Sequence, residues 1–209
     1  MMKSKILETY PLSEYPEAKY LTENSPVIYI ADFSERTKGL KKGEGRREVE
    51  IHSANPLTPD GTASMDCLKL INKEQLSIDF CIFDNHQFKR NGKEKDDEHC
   101  ECCFFPTESH ETPWVSFVEI KDCKPKNIAS YKDKVKEQII STVGHFKGKG
   151  ILNKREKIYG IISFPRRTKI DFNDFILGTP QDIFDMRKKY GILFLAANTV
   201  NVTSKTIAL

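Results

Sequence analysis

The sequence predicts an α/β protein in which a mixed central β-sheet is flanked by α-helices, built as a single domain over residues 1–209. Two observations support this prediction. Apolar, β-prone runs recur along the chain, and two segments change to the three- and four-residue spacing of an amphipathic helix. A composition of 38% hydrophobic and 30% charged residues is ordinary for a globular domain that is long enough to bury one sizeable core.

The predicted elements lie mainly beyond the first 25 residues, which are polar apart from a short helical or turn segment at 12–18. A loop rich in Gly, Lys and Arg is predicted at 34–47. The predicted strands are 27–31, 48–51, 65–71, 77–83, 114–121, 157–164 and 192–199. The predicted helices are 127–146 and 180–190.

The strand from Trp114 to Lys121 is the one around which the rest is organised. Apolar residues occupy both of its faces, which is typical of a strand in the middle of a sheet that is covered on both sides. Glu119 and Lys121 lie two residues apart and therefore point the same way. Because burying unpaired charge is costly, the two charges indicate either a mutual salt bridge at a strand end or a functional site.

Two further polar residues fall where apolar ones are expected. Asp79 lies inside the β-prone run 77–83, where it is either a satisfied buried Asp, an edge-strand residue or part of a site. Gln138 falls on the apolar stripe of the helix 127–146, so its amide faces the sheet and must find partners there. A backbone group would satisfy it as well as a functional one.

An Asp in one strand, a Glu-x-Lys ending the next apolar strand, and a following helix with an inward Gln together resemble the PD-(D/E)XK nuclease superfamily. The resemblance covers roughly residues 77–164 and implies a restriction-endonuclease-like core that hydrolyses phosphodiester bonds with Mg²⁺ or Mn²⁺. It implies that Asp79, Glu119 and the carbonyl of Ile120 bind the metal. Lys121 would act on the attacking water and Gln138 would support the site.

The pattern departs from that family in two places. No Pro precedes Asp79, and an insertion separates Asp79 from Glu119. Glu48 and Glu50 are the candidates for an upstream glutamate. The alternatives to a nuclease are a catalytically idle nuclease-fold module for binding or immunity, and a zinc-stabilised interaction protein.

The charge distribution agrees with a nucleic-acid partner, with DNA expected rather than RNA. The chain carries only +3, but residues 121–169 hold 14 lysines and arginines against four acids, a net charge of +10. A solvated helix face is the alternative for the helix lysines. The expected phosphate contacts are Lys124, Lys126, Lys132, Lys134, Lys136, Arg166 and Arg167.

The insertion at 91–112 is expected to be an acidic, Cys-rich loop, with seven acids against two lysines and a net charge of −5. It contains His99, Cys100, Cys102 and Cys103, with His110 nearby. Zn²⁺ at His99, Cys100 and Cys103 is therefore a second possible metal site, although the spacing is poor because structural zinc sites favour Cys pairs two to four residues apart.

The six cysteines fall partly inside strand-like runs, which favours reduced thiols over a secreted disulfide framework. No apolar run approaches the ~20 residues of a membrane span, and residues 1–10 lack the apolar core of a secretory signal. The expected location is the cytoplasm, away from membranes.

Overall fold

The computed structural model describes residues 2–41, 44–84, 86–88, 98–108, 113–124, 127–167 and 173–209. Within these residues the chain forms four helices and eleven strands, so the α/β class is confirmed. The helices are α1 (Met2–Thr9), α2 (Ile128–Gly148), α3 (Asn173–Leu177) and α4 (Pro180–Tyr190). The strands are β1 (Lys19–Glu23), β2 (Val27–Asp32), β3 (Val49–His52), β4 (Leu68–Ile71), β5 (Ile78–Ile82), β6 (Cys102–Pro106), β7 (Trp114–Ile120), β8 (Lys157–Ser163), β9 (Ile192–Ala196), β10 (Thr199–Val202) and β11 (Ile207–Ala208).

The larger sheet has six strands in the order β1-β5-β6-β7-β8-β9. Its first four strands are antiparallel to their neighbours, whereas β7, β8 and β9 run parallel. Helix α2 connects β7 to β8, as parallel neighbours require. All seven residues of β7 are buried, which confirms the prediction of an interior strand.

In the described part of the chain, the helices that flank this sheet lie on one of its faces. The other face is covered by a second, five-stranded mixed sheet in the order β11-β10-β4-β2-β3. Apolar residues from both sheets form one core, including Ile28, Leu70 and Val200 on one side and Phe104 and Val118 on the other. The predicted strand at 65–71 is shorter than expected and begins at Leu68. Local patterns identified several of these strands but not which sheet each would join.

The helices cover the opposite face. Helix α2 buries Val135, Ile139 and Phe146 against residues such as Val115 and Phe117 of β7. The alternation of faces along β7 is therefore as predicted. The helix comes very close to β8 at Gly160, where an added Cβ would lie 2.9 Å from the ring of Phe194 and 3.1 Å from Ile139.

Strand β6 lies inside the segment that the sequence analysis assigned to a loop insertion, and for residues 102–106 that prediction is wrong. The strand pairs with β5 on one side and β7 on the other. Cys102 and Phe104 face the second sheet, while Cys103 and Phe105 face the helices. This apolar run was obscured by the acidic residues around it. The parts of the insertion at 91–97 and 109–112, including His110, lie outside the described residues.

Other elements were not predicted, namely α1, β1, α3, β10 and β11. All six cysteines are buried and free, as the prediction of reduced thiols requires. Among the described helices, none has the length and apolar character needed to cross a bilayer.

Candidate functional site

A buried ion pair marks the end of β7. The Nζ atom of Lys121 lies 2.6 Å from Oε1 of Glu119, and the Glu119 side chain has no exposed surface. Neither carboxylate oxygen of Glu119 has a hydrogen bond of good geometry with the described residues. Oε1 has the close ionic contact with Lys121, whereas Oε2 has no partner among the described residues. This buried carboxylate is incompletely satisfied, which is unusual for a residue with only a structural role.

A second carboxylate reaches the same ammonium. Glu101 directly precedes β6, and its Oε1 lies 3.3 Å from the Nζ of Lys121. Its backbone nitrogen donates to the carbonyl of Val118 at 3.0 Å, so it continues the pairing of β6 with β7. The Glu101 side chain is 29% exposed, which connects the cluster to solvent. Sequence analysis missed Glu101, although it stands at the start of an apolar run.

The last residue of β2 completes what we call the Lys121 cluster, defined as Asp32, Glu101, Glu119 and Lys121. Asp32 is buried, and one of its oxygens accepts a hydrogen bond from the nitrogen of Ser34 at 2.8 Å. Its charge affects the titration of all three other members. An acid immediately after the predicted strand 27–31 was the available sequence signal.

The cluster has unusual electrostatics. Burial raises the pKa of Glu119 well above the ordinary carboxyl value, and the Glu101 carboxylate raises it further, while Lys121 acts in the opposite direction. Burial also raises the pKa of Glu101. Burial lowers the pKa of Lys121, but the two glutamates together raise it above the ordinary lysine value. The Lys121 side chain therefore stays protonated. Its positive charge favours the ionised form of both glutamates.

Glu48 and Glu50, the two candidates for an upstream glutamate, have different surroundings in the structure. Glu48 lies beside the end of β2, because its carbonyl accepts a hydrogen bond from the nitrogen of Phe33 at 3.1 Å, and its charge contributes to the raised pKa of Glu101. Glu50 instead forms an ion pair with Arg47 at 2.6 Å, and Arg47 holds the pKa of Glu50 below its usual value.

Asp79 does not join Glu119, so its predicted role as a shared metal ligand is wrong. Strand β6 lies between β5 and β7, and Asp79 is paired with Phe105, whereas Cys102 is paired with Val118. The two carboxylates are therefore separated by about 9.5 Å across the sheet and by about 13 Å along it.

Asp79 has partners of its own. Its Oδ1 lies 2.8 Å from the Nζ of Lys3 and accepts a hydrogen bond from the hydroxyl of Thr22 at 2.5 Å. The interpretation of a satisfied buried Asp is thus the one that the structure supports.

Gln138 faces the sheet as predicted and is buried. Its Nε2 donates to the carbonyl of His99 at 2.9 Å, and its Oε1 has no hydrogen-bond partner among the described residues. The neighbouring Thr142 hydroxyl accepts from the nitrogen of Cys100 at 2.9 Å. Helix α2 therefore holds the segment that leads into Glu101.

A second charged centre, which sequence analysis missed, lies one residue beyond Lys121. The Asp122 carboxylate is fully buried and is bound by two guanidinium groups. Arg166 forms a bidentate pair with it at 2.6 and 2.9 Å, and Arg36 donates to it at 2.7 Å. This Asp122 clamp joins three loops that are distant in sequence, so no local pattern indicated it.

The expected phosphate contacts fall into different environments. Lys124 is exposed, whereas Lys126 lies outside the described residues. Lys134 pairs with Glu98 at 3.1 Å and Lys136 with Asp133 at 3.0 Å. Arg166 belongs to the Asp122 clamp, and Lys132 and Arg167 lie near the ring of Phe175.

The candidate metal ligands do not form one close group in the described part of the chain. Among the described residues, no three His, Cys, Asp or Glu side chains are grouped closely enough to hold a metal ion. Burial raises the pKa values of Cys100 and Cys103 well above the ordinary thiol value, which disfavours the thiolate that zinc requires. The His99 ring stacks on Phe88, with 4.8 Å between ring centroids. For Mg²⁺, the chemically suitable oxygens are those of Glu101 and Glu119.

Comparison of the chain with protein-family models, with curated proteins and with solved structures found no match. The geometry of the Lys121 cluster and its surroundings is therefore the observation that points to a function.

Proposed function

We propose that this protein is a metal-dependent nuclease with a restriction-endonuclease-like core, and that Glu101, Glu119 and Lys121 form its cleavage site. The observation that carries the proposal is the buried Glu119 carboxylate, which has an unpartnered oxygen and shares the Lys121 ammonium with Glu101. Burying such a group costs free energy. Proteins keep destabilising groups of this kind mainly at functional sites, so its presence on the central strand favours a function.

The proposed site keeps the order of the PD-(D/E)XK pattern with one change. The acid of the preceding strand is Glu101 at the entry to β6, rather than Asp79 in β5. Strand β6 is the direct neighbour of β7, so Glu101 and Glu119 lie side by side, as a pair of metal ligands must. Gln138 supports this arrangement by holding the His99 carbonyl.

The proposed metal is Mg²⁺ or Mn²⁺, bound by the carboxylates of Glu101 and Glu119 and by the carbonyl of Ile120. When bound, such an ion neutralises charge on a phosphate and lowers the pKa of water. Glu101 and Glu119 must be ionised to bind the metal, and the bound ion would favour their ionised form at the end of β7. Lys121 stays protonated, so it attracts the phosphate and orients the attacking water through its N–H groups.

Position in the fold also supports a site at this place. Glu119, Lys121 and Asp122 lie at the carboxyl end of β7, next to the carboxyl end of β8, where the nitrogen of Lys121 donates to the carbonyl of Ser163. In α/β sheets, ligands bind beyond the carboxyl ends of parallel strands. Lys124, Lys132 and Arg167 add positive charge to the segments that leave these strand ends.

A catalytically idle module that binds nucleic acid is the second candidate. It is favoured by the fact that Lys121 already contacts both glutamates, so the cluster compensates its own charge. A metal ion at these oxygens must compete with the ammonium. The two candidates share the nucleic-acid partner and differ only in the chemistry.

One experiment separates them. Wild-type protein is incubated with single- and double-stranded DNA and RNA in Mg²⁺, in Mn²⁺ and in EDTA, and cleavage and binding are both measured. The nuclease proposal expects cleavage that requires the metal and is lost in Glu119→Gln, with binding retained. Binding without cleavage under every condition would establish the idle module instead. The absence of both would contradict a nucleic-acid function of either kind.

A further inference from the structure

An exposed aromatic ring lies close to two cations. Phe175, in α3, is 43% exposed. The guanidinium carbon of Arg167 lies 5.0 Å from the centre of its ring, and the Nζ of Lys132 lies 5.9 Å from it. A single exposed apolar ring is ordinary on a protein surface, but two cations beside it make a patch that suits a ligand with both a flat ring and a negative charge.

The residues of this surface come from chain segments that adjoin the Lys121 cluster in sequence. Lys121 is followed by Asp122, whose carboxylate holds Arg166 in a bidentate pair, and Arg167 is the next residue. Lys132 lies in the first turns of α2, which follows the same strand end. The ring and its two cations therefore belong to the segments that leave β7 and β8.

The position of Arg167 is fixed by the backbone. Its nitrogen donates to the carbonyl of Phe164 at 2.9 Å, and the side-chain amide of Asn198 donates to the carbonyls of Phe164 and Arg167. The Oδ1 atom of Asn198 in turn accepts from Ser163 and from the nitrogen of Phe164. The turn is thus held rigidly, which lowers the entropy cost of binding there.

Arg167 also borders a polar cleft of about 300 Å³. Lys69 supplies a second positive charge to this cleft, and the one acid in its lining, Asp66, is paired with Arg36 at 3.1 Å. Hydroxyl and amide groups of Asn55, Ser64 and Thr199 complete the polar lining. A sugar and phosphate are suited to such a cleft, because both offer oxygens to donors and cations.

We propose that Phe175 is a stacking platform for an unpaired base, with Lys132 and Arg167 contacting the adjoining phosphates, so that the preferred ligand is single-stranded nucleic acid. This inference rests on the nucleic-acid partner of the proposed function but not on cleavage. Rings stack on any base, whereas the bases of a duplex are covered by their neighbours and cannot reach an isolated surface ring.

The test measures binding of a short fluorescein-labelled single strand, and of the matching duplex, by fluorescence anisotropy in EDTA. Phe175→Ala is expected to weaken binding of the single strand about 5- to 150-fold, since stacking of one base contributes about 1–3 kcal/mol. Binding of the duplex should change much less. Phe175→Trp should retain the affinity of the wild type because it keeps an aromatic face.

Phe184 provides a matched control. It is 58% exposed on the neighbouring helix α4, and among the described residues no cation lies over its ring. Phe184→Ala should bind both ligands like the wild type. Thermal melting confirms that each variant is folded, which is expected because both rings are largely at the surface.

Three outcomes of this binding test would contradict the proposal in different ways. If Phe175→Ala and Phe184→Ala bind the single strand equally well, the stacking platform is wrong while the nuclease proposal stands. If Phe175→Ala weakens duplex and single strand to the same extent, the preference for unpaired bases is wrong. If the wild type binds neither ligand at low salt, both this inference and the nucleic-acid partner are overturned.

Discussion

Lys121 lies 2.6 Å from Glu119, and this contact compensates a carboxylate that has no exposed surface. Burial and Glu101 raise the pKa of Glu119 in the folded state. A raised pKa favours folding most below the ordinary carboxyl range, and that contribution is lost as the pH rises through the folded-state pKa. Lys121 limits the loss by attracting the ionised form.

Lys121→Met should therefore destabilise the protein in a pH-dependent way. We expect a loss of about 3–5 kcal/mol in the free energy of unfolding near pH 8, where Glu119 must either ionise without its partner or take up a proton to stay buried. The loss should be smaller near pH 5, where the proton is more easily bound. Urea unfolding at the two pH values measures both. Adding Glu119→Gln to the variant should restore most of the stability.

Lys134→Met is the control for this prediction. Lys134 pairs with Glu98 at the surface, where an ion pair contributes at most about 1 kcal/mol. Equal losses for Lys121→Met at both pH values would show that Glu119 does not titrate in the way described.

The Asp122 clamp gives a second prediction. Asp122→Asn leaves the guanidiniums of Arg36 and Arg166 without their common carboxylate, so the variant should lose about 3–5 kcal/mol. Asp66→Asn removes the other partner of Arg36, but Asp66 is half-exposed and its loss should cost less than about 1 kcal/mol. Chemical unfolding of the two variants compares them directly. Similar small losses for both would mean that the clamp contributes little.

Two glycines give a third prediction about packing. Gly160→Ala should destabilise the protein by about 1–3 kcal/mol, because the added Cβ would overlap the ring of Phe194. Gly144→Ala, in α2, meets no atom within 4 Å and should stabilise the protein by about 0.5–1 kcal/mol. Thermal unfolding measures the sign of each change. A neutral Gly160→Ala would show that α2 and β9 can move apart at this point.

Part of this site could be predicted from the sequence because it depends on local periodicity. The two-residue spacing of Glu119 and Lys121 places both on one face, and the helical spacing around Val135 turns Gln138 inward. Both results follow from the geometry of a single element.

The partner of Glu119 could not be predicted in this way. The sequence points to Asp79 because this residue is a carboxylate inside an apolar, β-prone run, but β6 separates β5 from β7. Strand order is set by which apolar faces pack together, and that information is spread over the whole chain. Asp122 is a similar case, since its two arginines come from loops that meet only in the folded protein.

The most direct test of the proposed site compares two acids that the structure separates. With saturating Mg²⁺ or Mn²⁺, the cleavage rate of Glu101→Gln should fall at least about 100-fold, because a proposed metal ligand is lost. Asp79→Asn should cleave at close to the wild-type rate, since the Asp79 carboxylate is bound by Lys3 and Thr22 and lies away from the Lys121 cluster. Full activity in Glu101→Gln, or loss of activity in Asp79→Asn at unchanged stability, would contradict a cleavage site built on Glu101, Glu119 and Lys121.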